Sequence, residues 1–278
     1  MEFSKFQATG NDFILLDARN AEQDWPKLAQ AMCQRHFGIG ADGLITADDS
    51  EIADLKMRVF NPDGSEAEAC GNGLRCFAKY AIETNMVGRP DLTIETASGI
   101  RQARAHISNG EVRHAQVSVG MPQFRAEDIP ADVDSDAAPI LGYTLELAEC
   151  KLVVSLVSMG NPHAVSFTPV PVEDFPLATL GPEVERHPVF PHRTNFEIAN
   201  VMNRNKVKAR VWERGVGETL ACGSGACAIA VIGRLLDYVE SQVDIMLPGG
   251  VLAISWDGGG EALLNGPVAR VFSGEYPD

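Results

Sequence analysis

Two cysteines, each followed by a glycine-rich run, are the residues of this sequence best placed for acid–base chemistry. Cys70 opens the run Cys70-Gly71-Asn72-Gly73 and Cys222 opens Cys222-Gly223-Ser224-Gly225. Each run leads into an apolar, alanine-bearing stretch with helical spacing, 74–82 and 226–236. Glycines at a helix start expose backbone N–H groups, and the positive end of the macrodipole lowers the pKa of a thiol beside it. Both sulfurs are therefore expected to lean towards thiolate. Facing each other across a small cleft, two such sulfurs would suit removal of a proton from one face of a carbon and delivery of another to the opposite face.

The two runs belong to a longer repeat. Residues 58–73 (RVFNPDGSEAEACGNG) match residues 210–225 (RVWERGVGETLACGSG) without a gap at an offset of 152, with seven of sixteen positions identical. Chance at average composition gives roughly one match. The identities are Arg58/Arg210, Val59/Val211, Glu66/Glu218, Ala69/Ala221, Cys70/Cys222, Gly71/Gly223 and Gly73/Gly225. A second echo, Gly10-Asn11-Asp12-Phe13 against Gly160-Asn161-Pro162-His163, lies at an offset of 150. The chain reads as two related halves. Where the halves agree, they are expected to serve the reacting carbon; where they differ, to read the rest of the substrate.

The elements that must position these residues are strand-rich. Strands are predicted at 3–6, 13–17, 44–46, 55–60, 92–96, 100–107 and 112–119, with a helix over 27–35 opened by Asp24 and Pro26 and another over 70–85. The glycine-dense Gly38-Ile39-Gly40-Ala41-Asp42-Gly43 lacks the context of a dinucleotide fingerprint and reads as a turn. Gly120-Met121-Pro122 is the natural boundary, and 126–139 reads as loop. Strands at 152–158, 164–167, 196–201 and 207–212, a helix over 222–236 and short strands around Gly249-Gly250 and Gly258-Gly259-Gly260 replay the plan. The tail 269–272 is expected to return as a last strand to the first half. Domains of 1–120 with 267–278, and of 121–266, follow. The class is α+β, with two pseudo-symmetric domains, each a curved, mostly antiparallel sheet wrapped around a central helix.

Composition narrows the function. At 278 residues and 45% hydrophobic the chain can bury two cores, and a net charge of −15 disfavours nucleic acid and anionic membrane as partners. An anionic small molecule needs only local donors, for which Asn11, Arg75 and Arg214 are the candidates. The opening MEFSKFQATGNDF lacks a signal-peptide run and no stretch approaches ~18 apolar residues, so a cytoplasmic location is expected. Six cysteines are then expected as reduced thiols, with Cys33, Cys76, Cys150 and Cys227 as buried small hydrophobes.

Taken together, the runs at 10–13, 38–43, 61–66, 69–73, 159–163, 193–195 and 212–215, with Cys222 to Gly225, resemble diaminopimelate epimerase across nearly the whole chain. The resemblance implies a two-domain, homodimeric epimerase that uses no cofactor and no metal and interconverts LL- and meso-diaminopimelate. It implies Cys70 and Cys222 as the acid/base pair, with His163 and Glu213 tuning the thiols. Asn11, Asn61, Gly71, Asn72, Asn161, Asn195, Glu213, Arg214, Gly223 and Ser224 would bind substrate. Two departures bear on substrate fit: Gln7-Ala8-Thr9 replaces the family's usual lead-in to Gly10, and Gly43 stands where some members place a glutamine. The competing readings are another cofactor-free racemase, for proline, hydroxyproline or histidine, or an isomerase of the phenazine-pathway type, which lacks the paired cysteines. A thiol redox or zinc-binding protein is a third. Against it, Cys70 and Cys76 stand six residues apart and Cys222 and Cys227 five, not a Cys-x-x-Cys spacing. A non-enzymatic binding protein is a fourth.

Overall fold

The computed structural model describes residues 1–67, 70–133 and 137–277. Ala69 of the Ala69/Ala221 identity and the centre of the 126–139 stretch lie outside the described residues. In chain order the elements are β1 (Glu2–Ala8), β2 (Asn11–Asp17), α1 (Trp25–Met32), β3 (Gly43–Asp48), β4 (Leu55–Phe60), β5 (Glu66–Ala67), α2 (Gly71–Glu83), β6 (Asp91–Thr96), β7 (Gly99–Ser108) and β8 (Glu111–Gly120). They continue with β9 (Tyr143–Glu146), β10 (Lys151–Ser158), β11 (Pro162–Phe167), α3 (Leu177–Glu185), β12 (Asn195–Asn203), β13 (Lys206–Glu213), β14 (Gly217–Thr219), α4 (Gly223–Leu235), β15 (Gln242–Leu247), β16 (Gly250–Ser255), β17 (Ala262–Pro267) and β18 (Ala269–Glu275).

The chain divides into two compact units, Met1–Ser118 with the segment from Asn265 on, and Val119–Leu264. In the first, β1 pairs antiparallel with β18 and β2, β2 runs parallel to β3, β3 antiparallel to β4, β4 parallel to β6, and β6, β7 and β8 follow antiparallel. Short β5 folds back on β4. In the second, β10/β11 is antiparallel, β11/β12 parallel, β12/β13 antiparallel, β13/β15 parallel and β15/β16 antiparallel, with β14 folded back on β13 and β9 added beside β10. Both units place their two parallel pairings at the same steps. The fold class is α+β.

Each unit packs its sheet around one helix. Helix α2 lies against β1, β2, β3 and β7, and α4 against β10, β11, β12, β15 and β16. In α4 every residue from Ala226 to Gly233 is buried, as a helix enclosed on all sides requires. Strand β4 alternates buried Leu55, Met57 and Val59 with half-buried Lys56 and Arg58, so one face meets α2 and the other faces outward.

Some elements, and one cysteine, depart from expectation. Helix α1 stops at Met32 because the chain doubles back, Ile39 and Gly40 both donating to the Met32 carbonyl at 2.9 Å. Helix α3 escapes sequence reading because it contains Gly181 and Pro182, two helix-breaking signals. Strand β11 starts at Pro162, two residues before the expected 164, and so takes in His163. Cys150, expected in the core, is exposed in the turn between β9 and β10, while Cys33, Cys76 and Cys227 are buried. No helix among the described residues is long and apolar enough to cross a membrane.

Candidate active site

In the first unit, the β4–β5 hairpin delivers the chain to α2. Arg58 holds it shut, its Nε and Nη2 donating to the two carboxylate oxygens of Glu66 at 2.9 Å each, the fork geometry that suits arginine. Cys70 is the N-cap residue, with extended backbone, and its Sγ accepts the Gly73 N–H at 3.3 Å. The thiol is exposed. Gly73 is needed for closeness: a Cβ there would stand 3.1 Å from Met57 Cε and 3.3 Å from Ile45 Cδ1.

Beside it, Asn72 is buried, its Oδ1 accepting from Arg75 Nη2 at 3.0 Å and Thr9 Oγ1 at 3.4 Å. Arg75, expected as a donor to an anionic ligand, is instead fully buried and donates also to the Gly71 and Pro267 carbonyls and Thr9 Oγ1 at 3.2–3.4 Å. It locks the first turn of α2 in place. Thr9 and Gly10 turn the chain through positive φ (50° and 87°), and Gln7 Oε1 accepts the Gly10 N–H at 3.1 Å. That turn presents Asn11, whose Oδ1 is buried and has no hydrogen-bond partner among the described residues. Asn61 donates from Nδ2 to Ser65 Oγ at 2.9 Å within its own turn. At Gly43 a Cβ would meet the Phe60 carbonyl at 3.1 Å and the Phe13 ring at 3.3 Å, so Phe13 fills the space that a longer residue at 43 would claim.

The second unit repeats the frame. Arg210 grips Glu218 at 2.7 and 2.9 Å across β13 and β14, and Cys222 caps α4 with Gly225 N–H on its Sγ at 3.4 Å. Ser224 Oγ lies 3.4 Å from the sulfur. The matching arginine–glutamate identities thus serve the scaffold that aims each cysteine and not a reacting carbon. That corrects the expectation drawn from the repeat.

What surrounds Cys222 differs from what surrounds Cys70. The Cys222 side chain is buried, with Glu213 hydrogen-bonded to it and to the Thr219 hydroxyl. Behind these, His163 Nδ1 lies 2.7 Å from Glu197 Oε1 and its Nε2 lies 2.9 Å from Asn161 Oδ1. Asn195 donates from Nδ2 to the Pro162 carbonyl at 2.9 Å and accepts the Arg214 N–H at 2.9 Å. The Arg214 guanidinium is exposed, one donor on the His192 carbonyl at 3.3 Å. Its loop is anchored by buried Glu185, which accepts from Trp212 Nε1 at 2.8 Å and Gly215 N–H at 3.0 Å.

Burial pushes the Cys222 thiol well above the usual thiol range, and the Glu213 and Glu197 carboxylates push it further. The Ser224 hydroxyl and Gly225 N–H pull the other way and are outweighed. Burial also raises the Glu213 carboxyl, against the Thr219 and Cys222 bonds and the nearby His163. The expectation that Cys222 leans towards thiolate is therefore corrected: this sulfur is held as a thiol.

Glu197 and Glu185 were not among the sequence candidates. The signal for Glu197 is a carboxylate within 195–199, a run buried on both strand faces. Glu185 carried no such mark, because the helix that presents it was itself hidden.

The model of the diaminopimelate epimerase family matches residues 3–124 and 155–271. The chain belongs to that family. It is 45% identical to the diaminopimelate epimerase of Pelotomaculum thermopropionicum, over 100% of this chain and 99% of that protein. It is 45% identical to that of Moorella thermoacetica over 100% and 99%, and 42% to that of Methanococcus maripaludis over 99% of each. Among solved structures, a PhzF-family phenazine biosynthesis protein of Bacillus anthracis superposes with TM-score 0.70 at 18% identity, covering 100% and 99% of the two chains. A hydroxyproline epimerase of Agrobacterium vitis, solved with trans-4-hydroxy-L-proline, gives 0.72 at 13% identity over 99% and 91%. These last two share the fold. Both halves of this epimerase-family chain carry a cysteine as the N-cap of their central helix.

Proposed function

We propose that the protein is a cofactor-independent epimerase that interconverts LL- and meso-diaminopimelate, with Cys70 and Cys222 as its proton-transferring pair. The observation that carries the reading is the family match over both halves, each with a cysteine capping its central helix. An amino-acid α-proton is weakly acidic, so charge developing on the carbanion must be met by oriented dipoles. The first amides of α2 and α4, at Gly71/Asn72 and Gly223/Ser224, are oriented for a carboxylate.

The settings of the two sulfurs suggest how the reaction starts. Cys222, held as a thiol, is the donor, which leaves exposed Cys70 as the acceptor, a role that requires its thiolate form. The α-C–H bond breaks, its proton joins the Cys70 sulfur, and the electron pair stays on carbon, delocalised into the carboxylate. The Cys222 S–H bond then breaks, its proton enters the opposite face, and the configuration inverts. In the reverse direction the roles exchange. Asn11, Asn61, Asn161, Asn195, Glu213 and Arg214 are assigned to substrate, Arg214 as the charge suited to the distal carboxylate and Glu213 as the charge suited to an ammonium. A cytoplasmic homodimer belongs to the same reading.

Purified protein given stereopure LL-diaminopimelate in heavy water without added cofactor is expected to yield the meso form labelled at one α-carbon. Turnover of proline, hydroxyproline or histidine in place of diaminopimelate would overturn the assignment.

A further inference from the structure

The buried pair His163–Glu197 has an apolar counterpart in the other half of the chain. His163 lies opposite Asn195 in the β11/β12 register, and Glu197 opposite Val165. At the same steps of β2/β3, Phe13 lies opposite Gly43 and Ile45 opposite Leu15. The match extends to the helix. A Cβ on Gly73 would stand 3.3 Å from Ile45 Cδ1, and one on Gly225 would stand 2.8 Å from Glu197 Oε1. One framework therefore takes phenylalanine and isoleucine in one copy, and a histidine and a glutamate in the other. Packing does not demand the polar pair.

A buried ionic pair is weak as a stabiliser, because desolvation offsets most of the attraction. Both side chains are fully buried, and Glu197 Oε2 has no hydrogen-bond partner among the described residues, so the pair is poorly explained by stability. Its hydrogen bonds say more. Carboxylate Oε1 can only accept, and so can the Asn161 oxygen that lies 2.9 Å from Nε2. Between two acceptors an imidazole needs a proton on each nitrogen, and the alternative is an Asn161 amide turned over to donate to Nε2 of a neutral ring. The other charged or titratable groups facing this pair are Glu213 and the Cys222 thiol.

We propose that Glu197 is a positioning residue. It keeps His163 doubly protonated, and His163 thereby turns the Asn161 amide so that its NH2 end is offered to a carboxylate of the substrate. The proposal rests on the reading that Asn161 contacts an amino acid. With Glu197 neutral, Nε2 would become an acceptor, the Asn161 amide would rotate by half a turn, and a carbonyl oxygen would face the substrate carboxylate.

The test is Glu197→Gln, followed by nitrogen-15 spectra of histidine-labelled protein and by steady-state kinetics. Wild type is expected to show both His163 ring nitrogens protonated and the variant only one, with KM for LL-diaminopimelate up about tenfold or more and kcat changed much less, the mark of a lost charge-assisted contact. Glu197→Asp should recover part of the KM. The double variant His163→Phe/Glu197→Ile, copied from the other half, should unfold cooperatively near the wild-type midpoint yet keep the raised KM. Retention of both ring protons in Glu197→Gln, or a fall in kcat at unchanged KM, would overturn the proposal, as would a wild-type KM in the double variant. Absence of diaminopimelate turnover in wild type would instead sink the proposed function, and the nitrogen signals would still decide whether Glu197 holds the second proton.

Discussion

Gly181 of α3 and Trp212 of β13 meet so closely that no methyl group fits between them: a Cβ on the glycine would stand 2.5 Å from indole Cδ2. The indole is held from its other end by Glu185 of the same helix. Helix, strand and the following 213–217 loop are thereby one packed assembly, and the residues proposed to read the distal end of the substrate depend on it.

Gly181→Ala should therefore destabilise the protein by about 1–3 kcal/mol, the usual penalty of overpacking a filled site. Denaturant unfolding measures it. KM should rise alongside, since Glu213 and Arg214 lie just beyond the displaced ring. A substitution as stable as wild type would show that α3 can shift away at no cost.

The two hairpin clamps should differ in worth. Arg58 forks onto Glu66, whereas Arg210 forks onto Glu218 and also donates to the Val172 and Phe175 carbonyls at 2.8 and 3.0 Å. Exposed pairs contribute roughly 0.2–1 kcal/mol, so Arg58→Ala should lower stability by about that much. Arg210→Ala, which also strips two carbonyls of their donor, should cost about 1–3 kcal/mol. Equal losses would contradict the contact pattern.

Alkylation should separate the thiols. Cys70 and Cys150 are exposed, Cys222 is buried, and burial raises Cys33 to about 12 and Cys76 higher still. Iodoacetamide at neutral pH should label Cys70 and Cys150 first, Cys222 at least tenfold more slowly, as thiolate fraction and access dictate. Peptide mass spectrometry against time reads the order, and faster labelling at Cys222 would refute its assignment as the protonated partner.

Stability should fall in alkali. The folded Cys222 thiol binds its proton more tightly than the unfolded one, whose value is near 9.0. The folded state thus holds more protons above about pH 9, and the unfolding free energy drops by up to ~1.4 kcal/mol per pH unit per such thiol. The contribution is complete below pH 9 and is lost as pH climbs towards the folded value. Cys222→Ala should show a shallower decline than wild type, by one thiol's share. Identical slopes would count against the buried, proton-bearing sulfur.

Much of this was legible in sequence because the chain says it twice. The repeat placed both cysteines at helix starts, and strand alternation such as Leu55-Met57-Val59 marked β4. What stayed hidden was what local pattern does not encode. Arg75 looked like a ligand donor, yet it lies inside the protein fastening Asn72 and Thr9. Helix α3 holds together through its seat on Trp212 despite glycine and proline, a tertiary override of propensity. The helix-dipole argument for Cys222 was sound in sign but too small, since two nearby carboxylates and burial oppose it.

The unlike surroundings of the two sulfurs bear on how such a catalyst resets. An inversion that borrows hydrogen on one side and lends it on the other leaves the free enzyme with its inventory swapped. On the two-thiol mechanism proposed above, Cys70, open to water, should trade hydrogen with solvent quickly, and Cys222, which is buried, more slowly, so that for a time the resting molecule would remember which isomer it last released.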